Sequence, residues 1–398
     1  MSRDPYSVAG RVVLKRLMKV QTSRPTPDEL TRKPTAGHRP LGCRPNKPRL
    51  DVALLSVATA APANVVTQRE VVRGVRKVFS EQFEDFARIA AVFASAGIEE
   101  RRLVKPSNWY YGSHGWPERT AAYVEGALAL FIEAAGKALD RAGITADAVD
   151  TVVTVSSTGI ATPSLEARAM RALGFRSDVR RVPVFGLGCA GGVAGLSIGA
   201  ELAMARPGSV VLVVAVELCS LAVRRDQPTK ANMVALALFG DGAAAAVLTS
   251  APGGAVRVVE TGHHTWPDTL DVMGWQVDPV GFGVIFDQSI PVLARERLAD
   301  ALDAILRDQP FARAEIGRFV CHPGGRKVLE AIEGALALEP RSLDHEREVM
   351  RRFGNMSSPT VLFVLERALL AGLPERSMLL SLGPGFTVST ATLARGPS

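Results

Sequence analysis

From Asp51 onward, apolar and β-branched runs alternate with segments whose apolar residues recur at helical spacing. The runs are 51–58 (DVALLSVA), 149–157 (VDTVVTVSS), 209–217 (SVVLVVAVE), 243–250 (AAAAVLTS), 318–322 (RFVCH), 378–382 (MLLSL) and 387–394 (TVSTATLA). Apolar on both faces, they predict strands buried between helical layers. Helical patterns fill 121–142, 164–173, 190–205, 291–307, 324–336 and 359–371, and Gly143 suits the C-terminal cap of the first. The alternation predicts an α/β protein with a first half over residues 49–260 and a second over 261–398. No short-period repeat interrupts it.

Residues 1–48 break the pattern. The first fifty residues hold twelve Lys/Arg, three acids and seven prolines, a net +9. The whole chain carries +7, so the body from residue 51 carries −2. The basic charge belongs to the extension, which reads as a flexible, solvated segment. Nucleic-acid contact through it stays an alternative, although Tyr6 is the one aromatic among those charges. No nucleic-acid partner is therefore expected.

At 398 residues, 47% hydrophobic and 22% charged, the chain is neither disordered nor fibrous nor a disulfide-stapled mini-protein. Cys43, Cys189, Cys219 and Cys321 lie far apart with no CxxC pair, which fits a reducing, cytoplasmic setting. The apolar stretch around Val210–Val216 is too short for a membrane span. No local His/Cys spacing suits a metal, since His263 and His264 are adjacent and point apart on a strand. No GK[ST] loop supports nucleotide hydrolysis.

Three segments could do chemistry. In Gly186-Leu187-Gly188-Cys189-Ala190-Gly191-Gly192 a cysteine stands between a strand and a small-residue helix. The positive end of that helix favours thiolate, although a buried structural cysteine fits equally well. In Cys321-His322-Pro323-Gly324-Gly325 a histidine stands at a strand end beside free backbone amides. Alone it is more simply a structural residue. Gly354-Asn355-Met356-Ser357-Ser358-Pro359 enters a helix, where an asparagine is ordinarily a cap. Together, Cys189, His322 and Asn355 compose a nucleophile, a base that also donates a hydrogen bond, and a neutral amide donor.

On GLGCAGG, LFGDGAAAAV (238–247), CHPGG (321–325), GNMSSP (354–359) and GPGF (383–386), in this order, the chain resembles the type III polyketide synthases, the chalcone synthase-like family of the thiolase superfamily. The resemblance spans residues 51–396 and leaves out 1–48. It implies a layered αβαβα thiolase-like fold of two related halves, a homodimer, and acyl-CoA and malonyl-CoA as substrates with no cofactor. It implies that Cys189 carries the acyl chain as a thioester. His322 would pair with the thiolate, and His322 with Asn355 would hold the malonyl thioester oxygen during decarboxylation. Phe239 matches the gatekeeper phenylalanine. Ser157, Thr158, Thr162, Cys219, Ala222, Gly274, Val284 and Ser357 fall on substrate-binding positions. The ketoacyl-carrier-protein synthase III group shares the triad but not the HPGG and GNMSS segments.

Departures bear on the substrate. Plant members tend to carry threonine at the position of Ala222 and a second gatekeeper phenylalanine at that of Val284, with Phe282 two residues away. Smaller residues there imply a longer cavity and a long aliphatic starter, giving alkylpyrones or alkylresorcinols as in bacterial members. An aromatic starter is the alternative, and a non-catalytic thiolase-fold binding subunit is a third reading. Arg73, Arg76, Lys77, Arg88, Gly324 and Lys327 lie in the region of the coenzyme A entrance and are candidates for holding its phosphates.

Overall fold

The apolar runs become strands of one mixed sheet. The computed structural model describes residues 49–79, 86–307 and 309–396, with the backbone alone for residues 86–89. The basic segment 1–48 lies outside the described residues. In chain order the elements are β1 (Val52–Ala60), β2 (Asn64–Thr67), α1 (Gln68–Phe79), α2 (Phe86–Ser95), β3 (Glu100–Leu103), α3 (Trp116–Ala142), β4 (Thr151–Val155) and α4 (Leu165–Leu173). Then follow β5 (Arg180–Val184), α5 (Gly191–Ala205), β6 (Val210–Leu218), α6 (Lys230–Leu238), β7 (Asp241–Thr249) and β8 (Val256–Thr265). The chain closes with β9 (Met273–Val277), β10 (Phe282–Phe286), α7 (Ile290–Leu306), β11 (Arg318–Cys321), α8 (Arg326–Ala335), α9 (Asp344–Phe353), α10 (Thr360–Ala371), β12 (Arg376–Gly383) and β13 (Thr387–Arg395).

Nine strands run in the order β11-β12-β13-β8-β1-β7-β6-β4-β5. One end of the sheet is parallel over β5, β4 and β6 and the other over β11 and β12, and antiparallel pairings follow inward from β6 with β7 and from β12 with β13. The two half-sheets meet narrowly, where Val52 pairs with Val258 and Ala53 with Arg257. They fold face to face over α5 and α10, which touch strands of both. Helices α3 and α4 cover the outer face of one half-sheet, and α7 and α8 that of the other. The result is five layers, αβαβα. A division at residue 260 cuts β8, a continuous strand of 10 residues; the break between the halves lies in the turn before Val256.

Two-sided burial explains why α5 is apolar all round. With the turn before it, Gly188–Ala205 is long and apolar enough to cross a membrane by length and composition. Here it is the central helix of the core. Its glycines let the strands approach: a Cβ on Gly195 would stand 2.6 Å from Val155 Cγ2, and one on Gly199 2.5 Å from Val213 Cγ2. This close packing sets the depth at which Cys189, just before the helix, is held.

Candidate active site

Cys189 sits in a 3-10 turn, Gly188–Ala190, that leads straight into α5. The turn is clamped by two other segments. Gly188 has φ +46°, and a Cβ there would meet Pro384 at 2.7 Å. A Cβ on Gly192 would stand 2.1 Å from the Ser358 carbonyl oxygen. The GPGF and GNMSSP loops therefore rest directly on the backbone around the cysteine, which keeps partial exposure while Gly188 and Ala190 are buried.

His322 follows the last residue of β11, and its N–H donates to the Leu380 carbonyl at 2.8 Å. The imidazole is buried, and neither ring nitrogen has a partner. An orphaned polar group costs about 1–3 kcal/mol, so the fold gains nothing from the polarity of this ring. Asn355 is fully buried and joins backbone to backbone with the gatekeeper segment: its N–H donates to Leu238 O at 2.7 Å, and Gly240 N–H donates to Asn355 O at 3.0 Å. Ser357 N–H donates to Asn355 Oδ1 at 2.8 Å, which fixes the amide so that Nδ2 faces the site. Nδ2 donates to Gly324 O at 3.2 Å, and Gly324 N–H donates to His322 O at 3.0 Å. The Asn355 and Ser357 side chains also hydrogen-bond the Cys189 thiol. Cysteine, histidine and asparagine, spread over 166 residues of the sequence, thus converge at one place.

Burial dominates the electrostatics. It pushes the Cys189 thiol up to about 11, opposed by the hydrogen bonds from Ser357 and Asn355. It pushes His322 down to about 3. Both shifts favour the uncharged forms of the two groups, against the smaller pull of the helix end toward thiolate. The helix-end effect is smaller than the cost of burying one uncompensated charge.

Family models decide what this site belongs to. That for the N-terminal domain of chalcone and stilbene synthases matches residues 44–252, and that for their C-terminal domain matches residues 258–396. The chain belongs to the chalcone and stilbene synthase family, the type III polyketide synthases. A 1,3,6,8-tetrahydroxynaphthalene synthase of Streptomyces peucetius subsp. caesius is 39% identical over 342 residues, covering 84% of this chain and 90% of that protein. A putative chalcone synthase of Bacillus subtilis (strain 168) is 35% identical over 350 residues, covering 84% and 96%. The solved structure of 1,3,6,8-tetrahydroxynaphthalene synthase from Streptomyces coelicolor A3(2) superposes with a TM-score of 0.83 at 27% identity, covering 87% of this chain and 100% of that one. As a type III polyketide synthase the chain is an acyltransferase that condenses malonyl-CoA.

Around this polyketide synthase site, Ser157, Thr158, Cys219, Ala222 and Ser357 are all buried. Cys219 lies within the electrostatic reach of Cys189. Phe239 and Val284 belong to one apolar cluster, while Phe282 meets Trp116 edge-on and Trp275 at a tilt. Gly274 lies in β9 with open space where a Cβ would stand. Thr162 is exposed on a loop. Arg73, Arg76 and Lys77 are exposed on α1, and Lys77 lies over the Tyr111 ring. Lys327 is exposed in the first turn of α8, and Gly324 adjoins His322. The side chain of Arg88 lies outside the described residues. Among the described residues, no cluster of three His, Cys, Asp or Glu could hold a metal.

Three residues escaped sequence reasoning. Glu217, fully buried, accepts from Ser157 N–H at 2.9 Å, Thr158 Oγ1 at 2.7 Å and Ser358 Oγ at 2.9 Å, and burial raises it to about 7. Its signal was a lone carboxylate in the apolar run VVAVEL. Glu346, also fully buried and raised to about 7, accepts from Cys321 N–H at 2.9 Å. It sits on α9, the helix that ends just before Asn355, so one carboxylate ties the histidine strand to the asparagine helix. Trp275 donates from its indole to Ser157 O at 2.8 Å and meets Phe239 edge-on at 6.3 Å.

Proposed function

We propose that the protein extends a long-chain aliphatic acyl-CoA starter with malonyl-CoA, giving alkylpyrones or alkylresorcinols, and that Cys189, His322 and Asn355 carry the reaction. The starter is transferred to Cys189 Sγ with release of coenzyme A. Moving the thiol proton to His322 makes two opposite charges at once, so the pair stays neutral overall and avoids the cost of burying either charge alone. Decarboxylation of malonyl-CoA places negative charge on the thioester oxygen. The His322 ring N–H and the Asn355 Nδ2 hydrogen not taken by Gly324 are two donors for it, both on buried side chains. The carbanion then attacks the acyl-Cys189 carbonyl and lengthens the chain by two carbons. No cofactor beyond the coenzyme A thioesters is needed.

The observation that supports the chain-length reading is the set of small or short side chains at Ser157, Thr158, Cys219 and Ala222, all buried, as the walls of a longer cavity would need to be. Each CH₂ buried in such a cavity contributes roughly 0.8 kcal/mol, close to fourfold in affinity. Mass spectrometry of products from a panel of acyl-CoA starters with malonyl-CoA tests it. Turnover should rise with chain length until the cavity is full, and Ala222→Trp should move the cutoff to shorter chains. A preference for aromatic or two- to four-carbon starters overturns this reading. A second reading rests on the relatives named as 1,3,6,8-tetrahydroxynaphthalene synthases, and the same panel run without starter reveals that product directly.

We also propose a cytoplasmic homodimer. Strand β5 is an edge of the sheet, and Ile160 and Phe185, which follow the ends of the paired strands β4 and β5, are 53% and 57% exposed. A second copy over this edge would also cover Thr162.

A further inference from the structure

Strand β11 is an edge of the nine-stranded sheet: it pairs with β12 on one side, and among the described residues no strand follows it on the other. One row of its backbone groups therefore lies outside the ladder. His322 N–H turns inward to Leu380 O, while Cys321 N–H, one residue earlier, turns outward and donates to Glu346 Oε1 at 2.9 Å. The Cys321 side chain packs in the apolar cluster of α7 and α8. Glu346 thus holds the strand end from the one direction in which neither sheet nor core does.

A carboxylate is a costly group for that task. Glu346 is 0% exposed in the first turn of α9, and its Oε2 has no hydrogen-bond partner among the described residues. Arg318 Nη2 stands 3.6 Å from this oxygen and donates instead to the exposed Asp344, at 3.2 Å. The bond to Cys321 N–H needs an acceptor of this reach; it does not need a charge.

The far end of α9 is held as firmly. Roughly two turns after Glu346 the helix stops at Phe353. Gly354 has φ +69°, and a Cβ on it would stand 2.6 Å from Leu238 O, so the exit from the helix has no slack. Asn355 comes next, its own N–H on that same carbonyl. Glu99 N–H donates to Arg351 O at 2.8 Å and seats the last turn of α9 beside β3.

We propose that Glu346 is a positioning residue for the condensation: through Cys321 N–H and the body of α9 it sets where His322 stands relative to Asn355. This rests on the roles proposed for those two residues, since their donors must meet one thioester oxygen. Displacing either by about 1 Å can cost on the order of 100-fold in rate. An aspartate at 346 would fall roughly 1.5 Å, one carbon–carbon bond, short of Cys321 N–H.

The test measures kcat and KM for malonyl-CoA decarboxylation by the full chain, with thermal melts alongside. Glu346→Gln keeps the acceptor and the reach, and its kcat should stay within threefold of native. Glu346→Asp keeps the charge but not the reach, and Glu346→Met keeps the volume but not the acceptor; each should lower kcat at least tenfold with KM within threefold, as for a contact that matters only in the transition state. Asp344→Asn, which removes the outer partner of Arg318, should match native. A glutamine variant as slow as the aspartate one overturns the proposal by making charge the requirement. Native kcat in the aspartate or methionine variant, or loss of the fold in both, leaves Glu346 a role in stability alone and overturns it too. An equal fall in Asp344→Asn would transfer the effect to Arg318. His322→Ala and Asn355→Ala, measured beside them, separate the two ideas: if these keep native decarboxylation, the reading of the site fails, whereas if they lose it while the aspartate and methionine variants do not, only the role of Glu346 fails.

Discussion

The cysteine and histidine junctions look alike on paper, each a reactive residue between a strand and a helix with paired glycines beside it. In space the glycines mean opposite things. At Cys189 they are contact points, because a Cβ on Gly192 would sit 2.1 Å from the Ser358 carbonyl and one on Gly191 2.6 Å from Val155 Cγ1. At His322 they are open ground: a Cβ on Gly324 or Gly325 would have no neighbour nearer than 3.7 Å. One junction is held rigid by backbone packed on backbone, whereas the other leaves room for a ligand beside an imidazole with no partner. A buried carboxylate anchors each, Glu217 on the cysteine side and Glu346 on the histidine side.

The largest effect should come from the crowded junction. Asn355→Ala, which removes one of the two proposed oxyanion donors and a contact to the Cys189 thiol, should cost two to three orders of magnitude in chain extension. A rate within threefold of the native chain would take Asn355 out of that role. Gly192→Ala should lower the melting temperature by roughly 5–10 °C, as an overpacked core site does, and should reduce turnover with it. Native melting and turnover in this variant would show that the two junctions do not differ as described.

A smaller, pH-dependent effect should follow from Glu217, raised from its usual range to about 7. Between the ordinary carboxylate value and pH 7, the folded chain keeps a proton that the unfolded chain has lost. Stability should therefore fall as pH rises through that window and level off above it. Glu217→Gln should reduce this slope, which Glu346 shares, in thermal melts at pH 5, 6, 7 and 8, and an unchanged slope would remove Glu217 as one of its sources. The smallest effect is expected at the open junction. Gly324→Ala meets only ordinary contacts and should melt within about 2 °C of the native chain. Its consequence should appear in KM for malonyl-CoA, since the added methyl stands 3.8 Å from His322 Nε2. A collapse in stability would mean that this junction too is packed shut.

How much could be read in advance follows from how each element is stabilised. The runs that became β4, β6 and β12 are buried on both faces and announce themselves by composition. Strand β5 did not, because RRVPV is an exposed edge and carries a proline where a central strand would need an N–H. Helix α9 (DHEREVMRRF) was hidden by its charges; Arg351 reaching back to Glu348 and Arg347 crossing to Glu333 stabilise a surface that has few apolar residues to show a period. Strand β8 is interrupted by Gly262 and two histidines, and acquires its regularity from β13 beside it.

The site divides in the same way. Cys189, His322 and Asn355 were legible because each stands in a short, ordered motif whose chemistry is local: a nucleophile, a ring with two nitrogens, an amide. Sequence determined the family, the alternation that builds five layers, and the motifs that carry these three proposed reacting groups. Tertiary structure alone decided that Glu346 reaches from one helix to the strand end before the histidine, that Trp275 closes over Ser157, and that Thr162 faces outward. Those are properties of which groups meet across long sequence separations and how far water is excluded from them. Burial sets the cost of every charge in the site, and burial exists only once the layers have closed.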